Sequence, residues 1–122
     1  MLADVSAAEA GGAKEVVLTG VHLGAWGQDL SPAAHLGDLV SFLLARTSLP
    51  RLRLSSLEPW DLHMDFFSLW ADPRLCRHLH LPLQSGPPSV LIRMNRKTSP
   101  DDFAALLACA RRAIPDVAVS TD

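Results

Sequence analysis

Short apolar segments alternate with helical segments along the whole chain, and this alternation constrains the fold more than any other feature. The strand candidates are rich in Val, Leu and Ile and are bounded by polar or breaker residues: 15–19, 52–55, 79–83 and 117–120. A helix candidate precedes each of them: 2–10, 36–44, 65–71 and 99–110. This order is typical of βαβ units that build a parallel sheet. We therefore predict an α/β fold made of parallel βα units.

The length of the chain limits how much of such a fold is present. A complete (β/α) barrel takes about 250 residues, and this chain has 122. We therefore expect one domain, 1–122, that forms about half of a TIM-like barrel. The chain starts in a helix candidate and stops directly after the last strand candidate, so we expect an internal fragment of a longer protein.

Charge and cysteine content exclude several classes of protein. Eleven Lys and Arg against 13 Asp and Glu give a net charge of −2, which argues against tight nucleic-acid binding by this chain alone. Cys76 and Cys109 cannot form a disulfide framework or a four-cysteine metal site, and we expect a structural or surface thiol at each.

No apolar run reaches the roughly 18 residues of a membrane span. No basic region precedes Asp4, which argues against a signal peptide. The expected location is the cytoplasm.

Polar residues follow every strand candidate. In a parallel sheet the loops after the strands converge on one edge, and ligands bind there. We call this edge, the carboxyl ends of the four strands with their following loops, the rim. The four clusters are 19–22 (TGVH), 55–59 (SSLEP), 84–86 (QSG) and 120–122 (STD). Each of the four clusters carries at least one hydroxyl, amide or carboxylate group, and this predicts a polar ligand site at the rim.

Two further patterns allow other interpretations. A phosphate-binding loop is one reading of Gly20, Gly24 and Gly27, although the spacing is not that of a dinucleotide fingerprint and no helix directly follows. The pair His78 and His80 suits a zinc site in a barrel hydrolase, with Glu58 and Asp122 as conceivable partners. The pair lies toward the start of its strand candidate, away from the rim, which favours packing or surface histidines.

The basic run 93–97 (RMNRK) and the tryptophans also have two readings each. The run suits a contact with RNA phosphates or, more often, a solvated helix end. The three tryptophans are expected to pack in the interior rather than to stack on bases: Trp26, Trp60 and Trp70.

Four sequence strings carry a resemblance to a known family. They are EVVLTGVHLGAWGQDL (15–30), RLRLSSLEPWDL (51–62), CRHLHLPLQSG (76–86) and VLIRMNRK (90–97). In this order and spacing they resemble the tRNA methylthiotransferases of the radical S-adenosylmethionine class. The branch they resemble most acts on threonylcarbamoyladenosine beside the anticodon. The string IPDVAVSTD (114–122) is similar to the strand before a glycine-rich loop in that family.

The resemblance implies a transferase with S-adenosylmethionine and [4Fe–4S] clusters as cofactors and tRNA as partner. One S-adenosylmethionine would be cleaved to a radical that abstracts the hydrogen at C2 of the modified adenine. Sulfur would then be inserted with the help of an auxiliary cluster, and a further S-adenosylmethionine would supply the methyl group. The protein would hold cofactor and base in place.

The family's functional positions match three groups of rim residues: Thr19, Gly20 and His22; Ser55, Ser56 and Glu58; Gln84, Ser85 and Gly86. The resemblance implies that the first group lies beside the methionine end of the cofactor. The second would line the barrel mouth and offer hydrogen bonds to cofactor or substrate. In the third, the glutamine and serine would face the cofactor and the glycine would let backbone approach it.

The chain also departs from the family. The C-x-x-x-C-x-x-C motif for the catalytic cluster is absent, as are the amino-terminal domain and the carboxyl-terminal RNA-binding domain. Pro87 and Pro88 stand where Ser-Asp is usual, and Thr98 stands where an aromatic residue is usual. We therefore expect no metal site and no activity from this chain alone. The alternative is a non-catalytic α/β module derived from the family that binds a nucleotide or a partner chain. The oligomeric state stays open.

Overall fold

The computed structural model describes all 122 residues. The strands are Val16–Leu18 (β1), Leu52–Leu54 (β2), His78–His80 (β3) and Ala118–Ser120 (β4). The α-helices are Leu2–Ala10 (α1), Leu36–Arg46 (α2), Pro88–Arg93 (α3) and Pro100–Ala113 (α4). Three 3-10 helices lie between them: Leu23–Ala25, Pro59–Asp61 and Met64–Ala71.

All strand pairings are parallel, as predicted. β1 pairs with β2, where Val16 lies opposite Leu52, and β3 pairs with β4, where His80 lies opposite Ser120. Isolated parallel bridges join the two pairs, at Leu52 with Leu75 and at Ser56 with His80. The α/β class with parallel strands is therefore confirmed. That the strands form half of a barrel stays a prediction.

A single apolar cluster holds these elements together. It combines strand leucines with one face of α2 and with aromatic residues of the 3-10 helix Met64–Ala71. The α2 side chains recur at helical spacing, and all five are buried, as the sequence pattern predicts: Leu36, Leu39, Val40, Leu43 and Leu44. Trp70 is also buried, and its indole N–H donates to the Cys76 carbonyl oxygen at 2.8 Å. The expected packing role is confirmed for this tryptophan.

The start of α4 follows the sequence prediction closely. Ser99 is the N-cap, and its hydroxyl oxygen accepts a hydrogen bond from the Asp102 backbone N–H at 3.1 Å. The Asp102 carboxylate in turn accepts from the Ser99 backbone N–H at 3.3 Å. This reciprocal pair is a capping box, which satisfies two helix-end donors. The hydrogen bonds from Ser99 lower the pKa of Asp102.

Two element predictions were wrong. The predicted order lacks α3, where Pro87 is the N-cap and Pro88 the first helical residue. Proline suits that position because its fixed φ matches a helix and its missing N–H has no partner there anyway. The third strand was expected at 79–83 but ends at His80. Pro82 lacks the N–H that a longer strand would need for its ladder.

A smaller difference concerns the helical type of one segment. The predicted helix 65–71 is a 3-10 helix over Met64–Ala71. No helix of this chain has the length and apolar character to cross a membrane.

Candidate functional site at the carboxyl ends of the strands

Backbone hydrogen bonds align the segments that follow the four strands. Each of them joins two neighbouring segments at the rim: Ser55 N to Leu18 O at 2.9 Å, Leu57 N to His80 O at 3.0 Å, and Gln84 N to Asp122 O at 2.9 Å. The predicted clusters therefore lie side by side along one edge of the strands, in the order of the chain.

The nine predicted site residues differ in exposure. Glu58, Ser55 and Ser85 are half-buried. The remaining six are exposed: Thr19, Gly20, His22, Ser56, Gln84 and Gly86. Of these six, only His22 makes a side-chain hydrogen bond within the chain. The rim thus presents hydroxyl and amide groups that no residue of this chain satisfies.

Thr19, Gly20 and His22 lie together along a groove beside β1. Its volume is about 400 Å³, and most of the other lining side chains are apolar. Val17 and Val21 also line it and are exposed. The structure thus brings the first predicted group together at the edge of the sheet.

Gln84 has an unusual backbone conformation. Its φ is 75°, in the left-handed region that a non-glycine residue adopts only at an energetic cost. The segment that follows β4 holds it there. The Leu83 N–H donates to the Thr121 hydroxyl oxygen at 3.2 Å, and the Gln84 N–H donates to the Asp122 carbonyl oxygen. Strained backbone of this kind clusters at functional sites.

Gly86 lies close to Gln84 and faces open space. A Cβ atom built at Gly86 would have no neighbour within 4 Å. Packing within this chain does not require a glycine there. The backbone at Gly86 is therefore accessible from outside the chain.

Asp61 is a rim residue that the sequence analysis missed. Its Oδ2 lies 2.6 Å from His22 Nε2, and the Asp61 side chain is only 13% exposed. Gly24 packs directly against it, since a Cβ atom at Gly24 would lie 2.5 Å from Asp61 Oδ2. The aspartate follows Pro59 and Trp60 in the quoted string 51–62, but nothing in that string indicates a contact with the loop after β1.

Two of the three glycines that were interpreted as a phosphate-binding loop are required by packing instead. Gly24 makes room for Asp61, as described above. Gly27 has a φ of 87°, and a Cβ atom there would lie 2.6 Å from the Ala34 carbonyl oxygen. Close approach and backbone conformation account for both residues, so the phosphate-loop interpretation gains no support from the structure.

The histidine pair lies in β3 itself. The expected placement toward the start of the strand is right for His78, its first residue, and wrong for His80, its last. Ser120 Oγ lies 2.9 Å from His80 Nδ1 and 3.3 Å from His78 Nε2. His80 Nε2 is 3.5 Å from Asp122 Oδ1. Burial, followed by the charge of nearby Arg53, lowers the pKa of His78. These histidines form a hydrogen-bonded row across β3 and β4.

No group of three His, Cys, Asp or Glu side chains is placed to hold a metal ion. Glu58, a conceivable third ligand for zinc, is paired with Arg96 at 2.8 Å. The solvated reading of the basic run was also wrong for Arg96, whose side chain is only 15% exposed.

The opposite ends of the strands carry a second ionic cluster. Glu15 accepts hydrogen bonds from Arg53 Nε and from Arg51 Nε, both at 2.7 Å. These two bonds lower the pKa of Glu15 to about 2. The Cys76 thiol lies 3.6 Å from Glu15 Oε2, and burial together with that carboxylate raises its pKa. Cys76 is therefore a protonated, buried thiol at neutral pH.

The two cysteines do not fit an iron–sulfur cluster. Such clusters are held by deprotonated cysteine thiolates, whereas Cys76 is buried with a raised pKa. Cys109 lies in α4, where its sulfur accepts a hydrogen bond from Arg112 at 2.9 Å. No step of a reaction on a cluster can be assigned to either residue.

A larger cavity of about 530 Å³ lies outside the predicted site. It is bounded by Gly24, the start of α2 and residues 60–66. None of the nine predicted residues lines it, but Gly24 and Asp61 do, so the cavity adjoins the loops after β1 and β2.

No protein family model matches the chain. A threonylcarbamoyladenosine tRNA methylthiotransferase from Thermotoga maritima is 38% identical over 112 residues, which are 91% of this chain and 25% of that protein. A tRNA-2-methylthio-N(6)-dimethylallyladenosine synthase from Acetivibrio thermocellus is 33% identical over 91% of the chain and 23% of its own length. The synthase of the same name from Geobacter metallireducens is 30% identical over the whole chain and 28% of its length.

The chain thus spans about a quarter of the length of the curated relatives it matches. Their names include two different modified adenosines, so the similarity does not decide between these nucleosides. Over nine-tenths of its residues, the chain is similar to part of the tRNA methylthiotransferases, and this supports the family that the four strings indicate.

Proposed function

We propose that this chain is part of a radical S-adenosylmethionine tRNA methylthiotransferase and that its rim contributes to the S-adenosylmethionine site. The observation that carries the proposal is the similarity over 91% of the chain to two kinds of tRNA methylthiotransferase. The substrate of the whole protein would be tRNA, in the cytoplasm.

For the nucleoside, we propose threonylcarbamoyladenosine. Relatives with either nucleoside in their name reach 38% identity. The choice therefore rests on the resemblance of the four strings to the threonylcarbamoyladenosine branch. The competing nucleoside is dimethylallyladenosine, and methylthiolation of either tRNA by the whole protein would discriminate between them.

The rim residues fit a polar cofactor of this kind. The Gln84 amide can both donate and accept hydrogen bonds, and it has no partner within the chain. Thr19 and Ser56 add exposed hydroxyl groups, and Gly20 and Gly86 leave backbone accessible. When bound, S-adenosylmethionine supplies the methyl group and, with a reduced cluster, the radical. The chain's own residues bind and orient the cofactor.

The iron–sulfur clusters are assigned to residues outside this chain, because neither cysteine fits the chemistry of a ligand. Purified without oxygen and supplied with iron and sulfide, the 122-residue chain should retain no cluster after desalting. Stoichiometric iron with a cluster absorption band would contradict this assignment.

Substitution of Gln84 tests the cofactor proposal. S-Adenosylhomocysteine, a stable analogue of the cofactor, is titrated into a solution of the chain, and the NMR chemical shifts of the backbone amides are recorded. We expect shifts at the three rim groups, and Gln84→Ala should weaken binding by about tenfold, which corresponds to roughly 1.4 kcal/mol for a lost polar partner. Lys14→Ala is the control, because Lys14 is exposed and lies shortly before β1, at the end of the strands opposite the rim.

Three results would count against the proposal. No amide shift at millimolar analogue would remove the rim from the cofactor site. An unchanged affinity of Gln84→Ala, together with a clear fall in melting temperature, would make Gln84 a structural residue. Binding of the analogue without any methylthiolation by the whole protein would favour the non-catalytic module instead.

A further inference from the structure

Arg96 connects two rim segments that are separate in the sequence. Its Nη2 donates to Glu58 Oε2 at 2.8 Å, in the loop after β2, and to the Pro82 carbonyl oxygen at 2.7 Å, in the loop after β3. The guanidinium also lies 4.6 Å from the centre of the Trp60 ring, within range of a cation–π interaction. One side chain thus contacts three points of the rim.

The local sequence explains why Arg96 reaches this position. Leu91 is buried and anchors α3 to the body of the protein. The chain turns back after that helix through Asn95, whose φ is 53°, a conformation that asparagine tolerates. The Arg96 N–H then donates to the Leu91 carbonyl oxygen at 2.9 Å, which fixes the backbone from which the side chain extends.

The two carboxylate oxygens of Glu58 are used differently. Oε2 is bound by Arg96, whereas Oε1 makes no hydrogen bond within the chain. Glu58 is half-buried, with 27% of its side chain exposed. Without Arg96, this carboxylate would lose its charge partner and rotate toward water. With Arg96 in place, Oε1 stays in one position.

We propose that Arg96 is a positioning residue that holds Glu58 and the loop after β3 in register, so that Glu58 Oε1 is a fixed acceptor for a hydroxyl or ammonium group of the ligand at the rim. This inference rests on the proposed function for the nature of the ligand only. The positioning itself depends on the three contacts described above. Arg96 is 15% exposed, so its charge acts within the protein rather than on an external phosphate.

Lysine replaces arginine only in part. Both hydrogen bonds leave from one nitrogen, Nη2, so an ammonium group with its three donors can replace them in kind, but the lysine side chain is one bond shorter. Arg96→Lys should therefore keep the charge near Trp60 but hold Glu58 and Pro82 less closely. Arg96→Met keeps an apolar stem against Trp60 and removes both hydrogen bonds.

Hydrogen exchange of the 122-residue chain tests the positioning without any ligand. In Arg96→Met, we expect the amides of 55–62 and 81–86 to exchange roughly tenfold faster, because local opening of these loops becomes easier. The amides of α2 and α4 should exchange as before. Arg96→Lys should lie between the two, and Arg93→Met, which alters an exposed arginine of α3, should have no effect.

Equal exchange of the rim amides in Arg96→Met and the unaltered chain would overturn the proposal. Equal acceleration throughout the chain would overturn it as well, because Arg96 would then serve global stability.

The affinity for S-adenosylhomocysteine tests whether Arg96 acts through Glu58. Arg96→Met and Glu58→Gln should each weaken binding about tenfold, and the double variant should bind no more weakly than either one, since both changes remove the same fixed acceptor. Additive losses would contradict a joint action. If the unaltered chain does not bind the analogue, the cofactor proposal fails, whereas the exchange experiment still decides the positioning.

Discussion

The two ends of the strands use their polar residues in opposite ways. At the amino ends, Glu15 is paired with both Arg51 and Arg53, and the Cys76 thiol completes the cluster. At the rim, Thr19 and Gln84 have no side-chain partner within the chain. Polar groups that are satisfied internally contribute to stability, whereas unsatisfied exposed groups are available to a ligand. This division is the one expected for parallel α/β folds, in which stability and function lie at opposite ends of the strands.

The rim is itself divided into a fixed and an open part. His22 is held by Asp61, and Glu58 by Arg96, whereas Gln84 is held only through its backbone. The ionic contacts tie the loops after β1, β2 and β3 to their surroundings. A ligand would therefore meet a largely prearranged set of loops with free groups between the fixed ones.

The largest effect is expected from Gly24→Ala, which breaks the fixed part of the rim. The added Cβ would lie 2.5 Å from Asp61 Oδ2 and 2.7 Å from Asp61 Cβ, so rotation of the carboxylate alone cannot relieve the overlap. The free energy of unfolding should fall by about 2 kcal/mol, as for other overpacked sites. Urea denaturation measures it, and Gly86→Ala, with open space around it, is the control. Equal stability of the two variants would contradict the close packing.

A smaller effect is expected at the amino ends, where Glu15→Gln removes the shared carboxylate. Folding lowers the pKa of Glu15 from 4.5 to about 2, so its contribution is fully present above pH 4.5 and is lost as the pH falls toward 2. Since the Glu15 side chain is 30% exposed, solvent screening reduces this contribution to about 1 kcal/mol. Glu15→Gln should lose this contribution at pH 7, and its free energy of unfolding should change less between pH 4.5 and 2 than that of the unaltered chain.

Thermal unfolding across this pH range checks the prediction. Asp101→Asn is the control, because Asp101 is exposed and makes no ion pair. If the stability of Glu15→Gln fell below pH 4.5 in parallel with that of the unaltered chain, the assignment to Glu15 would be contradicted.

His78 titrates in a different pH range. Its pKa is lowered from 6.5, so its contribution to the free energy of unfolding is lost as the pH falls below 6.5.

Local patterns in the sequence predicted a large part of the fold. The sequence predicted helices at 36–44 and 99–110, which the structure shows as α2 and α4. The missed helix α3 shows the limit. Its six residues begin at Pro88, directly after Pro87, and prolines are usually interpreted as helix breakers. Short helices also have too few turns for a periodic pattern to emerge.

The sequence indicated candidate rim residues by type but not their contacts. Strand ends and the four strings predicted the nine candidates, whereas the partners of His22 and Glu58 come from distant segments. Asp61 is 39 residues from His22, and Arg96 is 38 residues from Glu58. Such pairs depend on the tertiary arrangement, and the charge of Arg96 in a basic run suggested solvent rather than burial.

The smallest effect is expected from Gln84→Gly, which separates the backbone of the rim from its side chain. With a φ of 75°, Gln84 bears the cost of the left-handed conformation, and glycine adopts it freely but loses more entropy on folding. The free energy of unfolding should rise by about 0.5 kcal/mol, because the relief of strain slightly exceeds the entropic loss. Binding of S-adenosylhomocysteine should weaken as much as in Gln84→Ala, since both variants lack the amide. Asn95→Gly, at another left-handed position that asparagine tolerates, should change neither stability nor binding appreciably. If Gln84→Gly lowered stability, the side chain rather than the backbone would be holding this turn, and the rim would be stabilised in the same way as the opposite ends of the strands.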